Sequence, residues 1–150
     1  MKSGRYVAGI ILLLSFLSVE TNAQNEISHN KKEMAVIQHN EYILNHAKAL
    51  EREIAKSADA INIKSGLKHA RKIKSHAKKA KTYVRKLQKE EKSVKKPETR
   101  FNKIIEHYDK ILQEEFQIEK ELGMPASDHD TLAGHLSVIL NSLEEIKKKL

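Results

Sequence analysis

The chain has 150 residues, with 28 lysines and arginines against 20 acids, a net charge of +8, and no cysteine. The absence of cysteine excludes disulfide staples, thiolate metal sites, cysteine nucleophiles and cysteine-linked lipid or haem, so stability has to come from packing. Of the five glycines two lie in the first nine residues, and no phosphate-cradling loop or nucleophile elbow is present.

Lys2 and Arg5 precede the apolar run VAGIILLLSFL, residues 7–17, and a polar stretch then ends at Ala23. This is the pattern of a secretory signal peptide. At eleven residues this run falls short of the roughly 20 that a helix needs to cross a bilayer. Cleavage is expected after Ala23, which makes residues 1–23 a leader and residues 24–150 a single exported domain, periplasmic or secreted. Losing Lys2, Arg5 and Glu20 leaves 26 basic and 19 acidic residues, a net charge of +7.

Beyond the leader, apolar residues recur at alternating spacings of three and four, the pattern of helices packed along a heptad seam. A first helix is expected over about 31–60, with one column at Val36, Ile43 and Leu50 and the other at Ala47, Ile54 and Ile61. A second, over about 63–94, carries Ile63, Ala70, Ala77 and Val84 beside Ile73, Ala80 and Leu87. The polar residues Asn62, Ser65 and Gly66 between them read as a tight hairpin. Pro97 suits the first position of a third helix, about 98–122, which carries Phe101, Ile104, Tyr108, Ile111, Ile118 and Leu122. Gly123 and Pro125 end it as a cap glycine and a breaker. Ser127 with Asp130 suggests a capping box opening a fourth helix, about 128–150, lined by Leu132, Leu136, Ile139, Leu143, Ile146 and Leu150. Four such helices on short loops make an all-α, antiparallel up-down-up-down four-helix bundle after the signal peptide.

Histidine is placed with unusual regularity. His39 and His46, and likewise His69 and His76, stand seven residues apart, each just before a core position. Seven residues span about 10.5 Å of helix, whereas zinc holds imidazole nitrogens at about 2.0–2.1 Å. No helix can therefore chelate an ion alone, and a metal site has to be built between helices. If the first hairpin pairs positions summing to about 122–126, His46 faces His76, Glu53 approaches His69 and His39 approaches Tyr83. The same reasoning sets Glu121 near His135. Zinc, copper or nickel held by His46 and His76, with His39, His69 and Glu53 as further ligands, is the leading functional expectation. A histidine beside a core also covers apolar surface with its polar edge in water and needs no ligand for that.

The second helix is strongly basic: from Lys64 to Lys96 there are fourteen lysines and arginines and two acids, Glu90 and Glu91. Such a stripe repels itself and attracts polyanions. The alternative expectation is therefore an envelope-associated polyanion-binding or partner-binding protein working through Arg71, Lys72, Lys78, Lys79, Arg85 and Lys86. Acids of the third helix, among them Asp109, Glu114, Glu115 and Glu119, would neutralise part of it. Export and the lack of interleaved stacking aromatics speak against nucleic acid. Di-iron carboxylate chemistry needs Glu-x-x-His on two helices, and only Glu26 with His29 has that spacing. For haem, the spacing permits only a bis-histidine arrangement on His46 and His76. No hydroxyl or carboxylate stands by a base at catalytic spacing, so a non-enzymatic binding protein is expected.

Overall fold

The computed structural model describes residues 4–56, 61–91, 99–124 and 127–150, with side chains from residue 24 onward apart from that of Thr99. Four helices follow in order, α1 (Gly4–Ile54), α2 (Ile63–Glu91), α3 (Thr99–Leu122) and α4 (His129–Lys147), with no strand among the described residues. The chain divides into two compact units, Met1–Lys31 and Lys32–Leu150. Within the first, the backbone is helical from Gly4 on, covering the expected leader. No helix among the described residues is long and apolar enough to cross a membrane.

In the second unit the four helices form an all-α bundle whose strand-free core follows the alternating spacing of the sequence. On α2 the buried positions are Gly66, Ala70, Ile73, Ala77, Ala80, Val84 and Leu87, a run of alternating fours and threes that keeps one face turned to its neighbours. Val36, Ile43, Ala47, Leu50 and Ile54 do the same for α1. The columns of α3 and α4 are buried as expected, apart from Leu150, which is half-buried at the end of the chain. Successive helices run antiparallel. Arg71 and Lys74 near the start of α2 reach Glu119 near the end of α3, while Lys81 pairs with Asp109 further back.

The boundaries differ locally from expectation, each time for a hydrogen-bonding reason. The first helix ends at Ile54 rather than near 60, closing with Lys56 N–H donating to the Glu53 carbonyl at 3.3 Å. Ile61 consequently lies in the connection, not in the α1 column. Asn62 caps α2, its side-chain oxygen accepting from Ser65 N–H at 3.0 Å, so Ser65 and Gly66 belong to the helix rather than to a turn. Gly66 is buried, and a Cβ there would stand 3.1 Å from a Leu122 methyl. At the end of α3 no described residue has a positive φ. Gly123 therefore closes the helix by donating to the Lys120 carbonyl at 3.1 Å, without a left-handed cap. Nor does Ser127 cap α4: Asp128 does, accepting from Asp130 N–H and the Thr131 hydroxyl, while Ser127 donates to the Glu121 carbonyl at 3.0 Å. Pro97, Pro125 and the expected end of the second helix at 94 lie outside the described residues.

Two polar residues occupy core columns. Asn40 continues the α1 spacing between Val36 and Ile43, and its side-chain oxygen accepts the hydroxyl of the fully buried Tyr108. Glu115 continues the α3 spacing between Ile111 and Ile118, with no accessible surface. Lys74 Nζ stands 3.1 Å from its carboxylate.

Candidate metal centre: a histidine ladder between α1 and α2

The four histidines expected to line the first hairpin meet across the α1/α2 seam. His39 Nδ1 lies 3.0 Å from His76 Nδ1, and His46 Nδ1 lies 3.1 Å from His69 Nδ1. In each pair one ring has to donate and the other accept, which requires opposite tautomers. Small core residues make this approach possible. Each histidine precedes Asn40, Ala47, Ala70 or Ala77 in the seam, and helix axes draw closer where core side chains are short.

Ring contacts knit the two pairs into one ladder. His46 and His76 stack with centroids 6.0 Å apart, and His39 stacks on Tyr83 at 5.9 Å. Tyr42 stacks on His76 at 4.8 Å. Reading across the seam, Tyr83, His39, His76, His46 and His69 alternate between helices. The proximity expected for His46 with His76 and for His39 with Tyr83 is present, yet the nitrogen-to-nitrogen pairs fall one heptad over, at His39–His76 and His46–His69. The Glu53 carboxylate accepts from Lys56 Nζ at 2.7 Å. Lys56 holds its pKa below the usual carboxylate range, with His69 contributing a smaller pull. His135 likewise pairs one heptad from expectation, with Glu114 at 2.6 Å, and Glu121 instead accepts from Asp128 N–H.

Burial lowers the proton affinity of His39, His46 and His76. Neighbouring charges deepen the effect: Lys79 acts on His39, His69 and Lys72 on His46, and His39, His46 and Lys79 on His76. At His39, His46 and His76 these effects favour the neutral imidazole, the form that binds metal. Among the described residues no three His, Asp or Glu side chains gather closely enough to hold an ion together. Each histidine pair thus offers two protein donors.

The basic residues of α2 divide into two sets. Facing α3, Lys74 and Lys81 are engaged by Glu115, Glu119 and Asp109, and Arg71 reaches Glu119 at 3.2 Å while its side chain stays exposed. Lys72, Lys78, Lys79 and Arg85 are exposed and form no ion pair among the described residues. Lys86 lies over the Tyr83 ring, 5.4 Å from its centroid. No family model matches this chain, and neither curated proteins nor solved structures give a match.

Proposed function

We propose that this is an exported, non-enzymatic binding protein that takes transition-metal ions at two interhelical histidine pairs, His39–His76 and His46–His69. The observation that carries the reading is the separation of the paired nitrogens, 3.0 and 3.1 Å. An ion held at about 2.0–2.1 Å from both would be bound with an angle of about 95° between them. That is close to the cis angle of tetragonal copper(II) or nickel(II) and narrower than the tetrahedral angle zinc prefers. Binding requires the Nδ1–H tautomer of each pair to move its proton to Nε2, with no net proton release while the rings are neutral. Water or an anion from solution would complete the coordination, and the exposed Lys72 and Lys79 favour an anion. Export rests on Lys2, Arg5, the apolar run 7–17 and Ala23. The chain recovered outside the cytoplasm is expected to begin at Gln24 by intact mass, and a full-length mass there would contradict export by cleavage.

Calorimetric titration of the purified, untagged protein tests the metal reading. Copper(II) is expected to bind more tightly than zinc, and His39→Ala with His76→Ala should remove one site. Affinity no better than about 100 μM, or affinity unchanged when all four histidines are replaced, would sink it. A second reading, association with an anionic polymer along α2, is favoured by the exposed cations Lys72, Lys78, Lys79 and Arg85. Such binding should weaken steeply with added salt; salt-independent binding would refute it.

A further inference from the structure

A cleft of about 490 Å³ opens beside the His39 end of the ladder, walled by Gln38 and His39 of α1 and by Lys79, Thr82, Tyr83 and Lys86 of α2. That volume lies within the range of small-ligand sites, roughly 300–1,000 Å³. No acid lines it. Lys79 and Lys86 are one heptad apart, so their stems leave the helix on one side about 10.5 Å from each other. Neither is ion-paired among the described residues. Lys79 lines the cleft together with His39, and its charge is felt at both His39 and His76. Lys86 is held over the Tyr83 ring, and Tyr83 is held in turn by stacking on His39. The Gln38 amide donates only a long hydrogen bond, 3.4 Å, to the Tyr42 hydroxyl, leaving its second N–H for a ligand. Thr82 contributes wall rather than a donor, because its hydroxyl proton goes to the Lys78 carbonyl at 2.9 Å.

Two unpaired ammoniums on one wall, an amide and a phenol nearby and no carboxylate make a poor home for a cation and a good one for a multiply charged oxyanion. We infer that this cleft binds a phosphorylated ligand carrying at least two negative charges, with Lys79 and Lys86 clamping its ends and Gln38 and Tyr83 donating between them. The ligand is a free oligophosphate or the phosphorylated headgroup of a lipid; the chemistry recognised is the same. The site gives a definite location to what the open basic face offers only diffusely, and it does not depend on bound metal.

The test is titration of the untagged protein with inorganic pyrophosphate in the presence of a chelator, repeated with vesicles bearing a phosphomonoester headgroup. Lys79→Gln with Lys86→Gln should weaken pyrophosphate binding at least about tenfold, while Lys78→Gln with Arg85→Gln, which removes the same charge from the outward face, should cost no more than about threefold. The imidazole resonances of His39 should move on adding pyrophosphate and those of His135 should not. Equal losses from both double variants, or no binding below about 10 mM, would overturn the inference. Vesicle binding without pyrophosphate binding would also overturn it, because the headgroup would then be read by something other than this cleft. Since the titration contains no metal, its failure leaves the histidine-pair reading standing, and failure of that reading leaves this one standing.

Discussion

Two single residues, Asn40 and Glu115, carry more of the account than their neighbours do. Both stand at heptad positions that the apolar columns skip, and both were legible only as gaps, since a pattern of hydrophobic spacing says nothing about what fills a missing step. Asn40 is satisfied by Tyr108, a polar contact of the kind that selects one register over its neighbours. For Glu115, burial pushes the carboxyl up to about 7, with Lys74 pulling the other way and Glu119 adding to the rise. The folded chain therefore holds this proton more tightly than the unfolded chain, whose carboxyl titrates at 4.5. Its contribution to stability is intact below that value and lost as pH rises through the interval to about 7, a change of about 3 kcal/mol at full effect. Glu115→Gln should be more stable than the parent by about 2–3 kcal/mol near pH 8 and nearly equal to it near pH 4. Chemical denaturation at the two pH values checks this; an equal gain at both would mean that ionisation is not the cause.

At the scale of elements, the α1/α2 seam is where helix packing becomes chemistry. The heptad columns, the placement of each histidine beside the core and the basic face of α2 could all be read from spacing and charge. The register could not, because a pattern that repeats every seven residues is satisfied equally well by pairings one heptad apart. His39 with His76 and His46 with His76 are both neighbours for that reason, and His135 reaches Glu114 rather than Glu121. The turns that choose between such alternatives lead into helices capped by Asn62 and Asp128.

The seam also has a pH dependence of opposite sign to that of Glu115. His39, His46 and His76 hold protons less tightly in the fold than the ordinary 6.5, through burial first and then through one another, His69, Lys68, Lys72 and Lys79. Their neutral forms stabilise the fold fully above pH 6.5, and that stability is lost as pH falls below it. Lowering the pH from about 7.5 to about 5.5 should therefore reduce Tm by more in the parent than in a His39→Gln, His76→Gln variant. Parallel behaviour of the two proteins would show that the ladder does not titrate within the fold.

For the whole molecule, a chain of net charge +8 with no cysteine builds its stability from four interlocked columns and places its distinctive groups along α2 and its contact with α1. Imidazoles sit in the seam, and cations stand outside it. The two proposals assign these surfaces ligands of opposite charge, a metal ion to the histidine pairs and an oxyanion to the lysine rim. The most direct test of the metal claim counts nitrogen donors. Electron paramagnetic resonance of the copper(II)-loaded, untagged protein should reveal about two imidazole nitrogens per ion and about two ions per chain, falling to one ion per chain when His39 and His76 are replaced by alanine. Copper signals without nitrogen coupling, or a copper count unchanged when all four ladder histidines are replaced, would contradict it.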